Sequence, residues 1–246
     1  LAAAKAGVIV AALNWRLGDR ELRHCIELVS PRLLITTETL SENLDRLNVG
    51  SVQRVVIGAE YEAMLANATS DYPDLTVDSE DGLVILYTSG TTGLPKGALI
   101  SHRAMIARGM LFASEFGVPR DDHFLAWAPM FHMASTDQGL TYLLRGGTVH
   151  MLDGYQPAGM LDAIERYPMH WLLLIPGMIA PFIAEYKARP VTPKGLGCIG
   201  AMADLVPREE IREVTTLLNA PFSNTFGATE TGLGPATGGV IGIGEA

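Results

Sequence analysis

Few cysteines, few basic residues and no long apolar run set the first limits on this chain. Cys25 and Cys198 are its only cysteines, and neither has metal-ligand neighbours in the sequence. This argues against a zinc site and favours a reducing compartment, so we expect a cytoplasmic protein. Eighteen Lys and Arg against 27 Asp and Glu leave a net charge of −9, which argues against a nucleic-acid partner.

The longest apolar stretches are poor candidates for membrane spans. Residues 1–13 include Lys5 and are too short, and residues 171–184 are interrupted by Pro176 and Pro181. The 246 residues are 48% hydrophobic, enough for one large core or two smaller ones. The composition therefore indicates a packed globular protein without a transmembrane segment.

Short apolar runs alternate with helical patterns along most of the chain. Ser101 can cap a helix that carries Met105, Phe112 and Phe116 on one face and ends before Gly117. The predicted strands are residues 83–88, 98–100, 124–128, 148–152, 171–175 and 196–199, and the other predicted helices are 136–145, 160–167, 177–188 and 207–219. This pattern predicts an α/β fold of layered, largely parallel sheets with flanking helices. Residues 67–81 hold five acidic side chains and predict a solvated connector.

Residues 87–97 combine glycine, hydroxyl groups and one lysine directly behind an apolar run. Glycine lets backbone N–H groups approach an anion, hydroxyls add donors and a lysine adds charge, so the loop is suited to a triphosphate. The residues concerned are Thr88, Ser89, Gly90, Thr91, Thr92, Gly93, Lys96 and Gly97. A flexible surface loop is the alternative, whereas the common P-loop is disfavoured because Pro95 and Gly97 break its pattern.

A second motif, residues 224–232, reads Asn-Thr-Phe-Gly-Ala-Thr-Glu-Thr-Gly. Phe226 offers a face for adenine, Asn224 can bond its edge, and Gly227 leaves room for a ligand. Thr229 can reach a phosphate oxygen, and Glu230 can hold Mg²⁺. The alternative is a strand that ends in a polar turn, with Phe226 in the core.

Two further segments lie between these motifs. His132 follows an aromatic residue and a proline; a lone histidine is more often structural, but this position favours a functional role. Gly195, Gly197 and Gly200 match the dinucleotide-binding fingerprint by letter, yet the preceding segment is a poor strand. We interpret residues 196–199 as the strand itself, which disfavours a nicotinamide enzyme.

Together these motifs resemble the adenylate-forming superfamily, which contains acyl-CoA synthetases, aryl-CoA ligases, peptide-synthetase adenylation domains and luciferases. The resemblance implies two α/β subdomains, residues 1–120 and 121–246, with the nucleotide at their junction. It also implies that the chain is the central part of a larger enzyme and lacks the family's ribose-binding aspartate, hinge and C-terminal domain. Ala201 and Met202 depart from the family's glycine-rich turn, and His132 stands where enzymes for amino acids usually carry Asp.

The implied activity, most like that of an acyl-CoA synthetase, is ATP-dependent conversion of a carboxylic acid to acyl-AMP and pyrophosphate, followed by transfer to CoA. The implied catalytic residues are Lys96, His132, Thr229 and Glu230, with Glu230 also the Mg²⁺ ligand. The implied ATP-binding residues are Thr88, Ser89, Gly90, Thr91, Thr92, Gly93, Gly200, Ala201, Met202, Asn224, Thr225, Phe226, Gly227 and Thr229. A luciferase-like or other adenylating enzyme, and a nucleotide-binding fragment without turnover, stay open, as do the acid, the acyl acceptor and the oligomeric state.

Overall fold

The computed structural model describes residues 1–88, 93–235 and 238–246, which divide into two compact units, Leu1–Arg103 and Ala104–Ala246. The boundary falls inside the helix that Ser101 was expected to cap, rather than near residue 120. Most of that helix therefore belongs to the second unit. In the described part of the chain, no helix has both the length and the apolar content needed to cross a bilayer.

The first unit contains four helices and five strands within its described residues. The helices are α1 (Ala2–Lys5), α2 (Asp19–Val29), α3 (Glu38–Leu47) and α4 (Ala59–Ala66). The strands are β1 (Val10–Ala12), β2 (Leu33–Thr37), β3 (Gln53–Ile57), β4 (Gly82–Thr88) and β5 (Lys96–Ser101). β1 pairs parallel to β4, which pairs antiparallel to β5, and β2 pairs parallel to β3. Residues 69–80 form no helix or strand and are almost entirely exposed, as the acidic composition predicts.

The second unit, with α5 starting just before it, is larger and continues the alternation. Its helices are α5 (His102–Glu115), α6 (Met133–Leu144), α7 (Pro157–Arg166), α8 (Ile179–Ala188) and α9 (Arg208–Leu218). Its strands are β6 (His123–Ala126), β7 (Thr148–Met151), β8 (Met169–Leu172), β9 (Leu196–Ile199), β10 (Phe222–Asn224), β11 (Gly227–Ala228), β12 (Gly232–Leu233) and β13 (Gly239–Ile241). β8, β9 and β10 are parallel neighbours, β13 closes that sheet antiparallel to β10, and β6 pairs parallel to β7.

The core of the second unit is formed by strand residues covered by the apolar faces of helices. Among the strand residues, Phe124, Leu172, Ile199 and Phe222 are completely buried. Burial of such side chains supplies about 1.5–3 kcal/mol each, which makes this core the main source of stability. The predicted α/β architecture is confirmed, with sheets that are mixed rather than uniformly parallel.

Candidate functional site

The glycine- and hydroxyl-rich loop joins the two strands of an antiparallel hairpin in the first unit. Thr88 at the end of β4 and Lys96 at the start of β5 are cross-strand partners. Gly93 is exposed and has a φ of +98°, a conformation that favours glycine. Ser89, Gly90, Thr91 and Thr92 lie outside the described residues, so their predicted contacts with phosphate stay predictions.

Two hydrogen bonds anchor this hairpin on α2. The Tyr87 hydroxyl donates to the Cys25 carbonyl oxygen at 2.8 Å, and the His24 Nε2 atom lies 3.1 Å from the Pro95 carbonyl oxygen. Burial raises the pKa of the Tyr87 phenol, which keeps it a donor. Lys96 is exposed, and among the described residues its ammonium group has no hydrogen bond or ion pair. The ammonium group is therefore available to an anion.

A cleft of about 590 Å³ lies beside this hairpin. Apart from Lys96 and His24, its walls are apolar or glycine, namely Leu28, Val29, Ile85, Leu94, Pro95, Gly97 and Leu99. Such walls lack the donors that a triphosphate needs. We therefore do not assign the nucleotide to this cleft.

In the second unit, the turn after β9 is tied to the end of β10. The Ala203 N–H donates to Asn224 Oδ1 at 2.9 Å, and Asn224 Nδ2 lies 3.4 Å from Asp204 Oδ2. Gly200 has a φ of +84°, and a Cβ there would collide with the Phe222 ring. Within the turn Ala201 is buried, while Met202 is 40% exposed with a φ of +55°. The structure thus brings Asn224 together with the Gly200–Ala201–Met202 turn, and the amide Nδ2 is the group that Asn224 can offer to adenine.

The segment after β10 turns outward. Phe226 is 73% exposed, so the alternative that placed this ring in the core is wrong, and Thr225 beside it is half-buried. Gly227 makes a close contact within its own chain, and its predicted role in making room for a ligand stays a prediction. A Cβ there would lie 2.8 Å from the Gly232 carbonyl oxygen, so the close approach is made by β12 of the same chain.

Thr229 and Glu230 occupy the turn between β11 and β12, where Thr231 N–H donates to the Ala228 carbonyl oxygen at 3.1 Å. Thr229 is half-buried, and Glu230 is exposed. Within the described part of the chain, the Glu230 carboxylate has no partner, and no cluster of three potential metal ligands occurs. A lone free carboxylate suits Mg²⁺, which is commonly held by one or two carboxylates, substrate phosphates and water.

His132 is the N-cap of α6. Its Nδ1 atom accepts the Ala134 N–H at 3.1 Å, so the proton of the neutral ring lies on Nε2. The ring is exposed, but the atoms crowded around it partly desolvate the imidazole and lower its pKa. At neutral pH, His132 therefore offers a neutral Nε2–H donor.

The loop that carries His132 is fixed by the first turn of α6. The Ser135 hydroxyl donates to the Ala128 carbonyl oxygen at 2.6 Å, and the Thr136 hydroxyl donates to the Met130 carbonyl oxygen at 2.5 Å. Trp127, just before this loop, is 4% exposed and donates to the Leu173 carbonyl oxygen. Three buried side chains, those of Trp127, Ser135 and Thr136, thus set the position of the exposed His132.

Sequence reasoning missed a buried ion pair between Arg108 of α5 and Asp137 of α6. Arg108 Nη1 lies 3.5 Å from Asp137 Oδ2, and both side chains are less than 10% exposed. Burial raises the pKa of Asp137 to about 6, although the Arg108 charge lowers it. The sequence did indicate that Arg108 is buried, because Arg108 lies three residues after Met105 and four before Phe112, on the predicted apolar face.

Comparison with known proteins agrees with the motifs. The AMP-binding enzyme family matches residues 1–240. Feruloyl-CoA synthase of an Amycolatopsis species is 32% identical over 239 residues, which cover 95% of this chain and 46% of the synthase. Indoleacetate–CoA ligase of Aromatoleum aromaticum is 30% identical over 240 residues, covering 94% of this chain and 47% of the ligase.

A solved structure shows the same fold. The N-terminal domain of FACL13 from Mycobacterium tuberculosis, with an inhibitor bound, superposes with a TM-score of 0.82 at 23% identity, covering 93% of this chain and 58% of that one. The chain spans about half the length of the curated relatives named above. A family match over nearly all of its residues, with both expected motifs in order, shows that the chain belongs to the AMP-binding enzyme family.

Proposed function

We propose that the chain is the carboxylate-activating part of an acid–CoA ligase. Attack of a substrate carboxylate on the α-phosphorus of ATP forms a C–O–P linkage and breaks the bond to pyrophosphate, giving acyl-AMP. The CoA thiol then adds to the acyl carbonyl, its proton passes to solvent, and AMP leaves with the C–O bond electrons. AMP is a far better leaving group than oxide, which is why the acid is activated first.

On this proposal, the chain's own residues bind and orient the reactants. Residues 88–93 and Lys96 contact the β- and γ-phosphates, and Thr229 contacts the α-phosphate. Phe226, Asn224 and the 200–202 turn hold adenine. Mg²⁺ bound at Glu230 would neutralise phosphate charge. Rate enhancement in such a site comes from positioning and from electrostatic stabilisation of the charge that develops on the phosphate oxygens.

His132 is assigned to the substrate carboxylate. Because Nδ1 is occupied by the Ala134 N–H, the Nε2–H is the atom that can donate to a carboxylate oxygen. A neutral donor orients the carboxylate without neutralising its charge, and a nucleophile must keep that charge. The lowered pKa of His132 supports this role.

The observation that carries the proposal is the hairpin from Phe226 to Leu233. An exposed aromatic ring at one end and, at its turn, a carboxylate with no partner among the described residues lie on either side of Thr229. An accessible ring can stack on a flat base and an accessible carboxylate can hold the metal of a metal-bound phosphate, so this hairpin suits a nucleotide.

The test is the Mg²⁺ dependence of ATP affinity, measured by calorimetry on the 246-residue chain. We expect Mg²⁺ to strengthen ATP binding to the wild type, and Glu230→Gln to abolish that gain. Glu209→Gln, which changes an exposed glutamate paired with Arg212, should keep it. An equal Mg²⁺ gain in Glu230→Gln would remove Glu230 from the metal role.

A second candidate is nucleotide binding without turnover, which the exposed Phe226 ring and the exposed Glu230 carboxylate would serve equally well. Acyl-AMP formation from MgATP and a panel of fatty, aryl and short branched acids distinguishes the two. Product analysis for acyl-CoA, aldehyde or light separates the ligase from other adenylating enzymes.

We also propose a cytoplasmic location. Two free, buried cysteines support it, and burial raises the pKa of each thiol to about 11.

A further inference from the structure

The Arg108 guanidinium joins three parts of the second unit. It extends from α5, forms the ion pair with Asp137 of α6, and donates through Nη2 to the Thr229 carbonyl oxygen in the β11–β12 turn. Its side chain is 7% exposed. A guanidinium holds its donors in a rigid planar fork, so one group can fix two partners in a set direction.

Stability alone is a poor explanation for this ion pair. Removing two charges from water costs free energy that their attraction often fails to return, and apolar replacements are frequently as stable. In the part of the chain that the structure describes, Arg108 Nη1 and Asp137 Oδ1 also have no hydrogen-bond partner. A buried and incompletely satisfied pair is better explained by what it positions.

The stem of Arg108 also packs on the end of the same turn. A Cβ built on Gly232 would lie 2.9 Å from Arg108 Nε and 3.0 Å from its Cγ atom. Gly232 has a φ of +72°, which itself favours glycine. Arg108 therefore contacts the turn at Thr229 by a hydrogen bond and at Gly232 by packing.

We infer that Arg108 is a positioning residue that holds the Thr229–Glu230 turn in a fixed place relative to α6, the helix that His132 caps. The inference rests on the proposed function, in which Thr229 and Glu230 contact the phosphate and Mg²⁺, and His132 contacts the carboxylate. One guanidinium then sets the distance between the groups that hold the two reacting partners. Asp137 directs the guanidinium and anchors it to α6.

The test compares two variants. Arg108→Met with Asp137→Asn removes both charges together, so that neither is left buried alone. Arg108→Lys keeps the positive charge but loses the planar fork of N–H donors. This variant keeps the test possible if the double variant folds poorly. Arg189→Met with Asp162→Asn removes an exposed ion pair of 2.8 Å in the same unit and is the matched control.

Amide hydrogen exchange is the deciding measurement. We expect exchange in residues 228–233 to accelerate at least tenfold in both variants, while the amides of β9 and β10 and all amides of the control stay as in the wild type. MgATP affinity should fall at least fivefold, and adenosine affinity should stay constant because adenosine has no phosphate. General destabilisation would instead change β9, β10 and adenosine binding as well.

Unchanged exchange in residues 228–233 would overturn the inference. A wild-type chain that binds neither MgATP nor adenosine would refute the proposed nucleotide site in this chain, and exchange in the turn would still decide whether Arg108 holds it. The two failures are therefore distinguishable.

Discussion

Replacing Phe226 with alanine separates binding from stability in one substitution. The ring is 73% exposed, so folding buries only about a quarter of it. That is roughly 50 Å², equivalent to about 1 kcal/mol at the usual coefficient. If the ring stacks on adenine, its loss should cost about 1–3 kcal/mol of binding, which raises the dissociation constant about 5- to 150-fold.

The matched control is Phe222→Ala, four residues earlier. Phe222 is completely buried between Gly200 and the rest of the core, and its truncation should lower the free energy of unfolding by about 3–5 kcal/mol. Phe222→Ala is thus expected to lower the stability strongly, whereas Phe226→Ala should lower the nucleotide affinity and leave the stability almost unchanged. Phe226→Ala should retain the wild-type melting temperature to within a few degrees.

Calorimetric titration with ATP and with AMP provides the assay. Stacking involves only the base, so Phe226→Ala should weaken ATP and AMP by the same factor, and Phe226→Trp should restore both. Unaltered dissociation constants would refute the stacking argument. Loss of ATP affinity with unchanged AMP affinity would also refute it, because the ring would then act at the phosphates.

Two further predictions concern stability. Gly200→Ala should destabilise the fold by more than about 2 kcal/mol, because its Cβ would meet the Phe222 ring. The control is Gly177→Ala, which has a similar φ of +80° but open space around it and should cost about 1 kcal/mol. Equal losses of unfolding free energy in chemical denaturation would contradict the clash. Asp137 has a pKa of about 6 in the folded state against 3.8 as its ordinary value, so the folded state binds its proton more tightly, and stability should fall by about 2 kcal/mol as pH rises from 4 to 6. Asp137→Asn should abolish that fall and exposed-site Asp162→Asn should keep it, whereas a wild-type slope in Asp137→Asn would show that this carboxyl does not titrate there.

The sequence predicted elements best where the local pattern was strong. The apolar residues Ile211, Val214 and Leu218 repeat at helical spacing, and α9 covers 208–218 where 207–219 was predicted. Asn219 ends it with a φ of +50°, in the left-handed region that short polar residues tolerate. The start of α6 was placed three residues too late, because its N-cap is His132, which is not one of the residue types that usually mark a helix start.

The motifs that carry the predicted site could be read from the sequence, but the contacts that their residues make within the fold could not. The role of Gly227 in making room for a ligand stays a prediction, whereas the close approach of β12 to Gly227 could not be foreseen. Local periodicity places Arg108 on an apolar face but contains no information about its partner at Thr229, 121 residues away. Contacts of this kind depend on the assembled fold.

The distance in sequence between Arg108 and Thr229 also affects the order in which the protein folds during synthesis. During synthesis the guanidinium of Arg108 emerges from the ribosome long before the carbonyl group of Thr229, which lies 121 residues later. Contacts between distant residues form late, since the intervening chain must first be ordered. Nascent chains that end before Thr229 should therefore lack the β11–β12 turn and leave Arg108 without its carbonyl partner. If chains of increasing length are compared, the length at which nucleotide binding first appears would mark the last step of assembly in this unit.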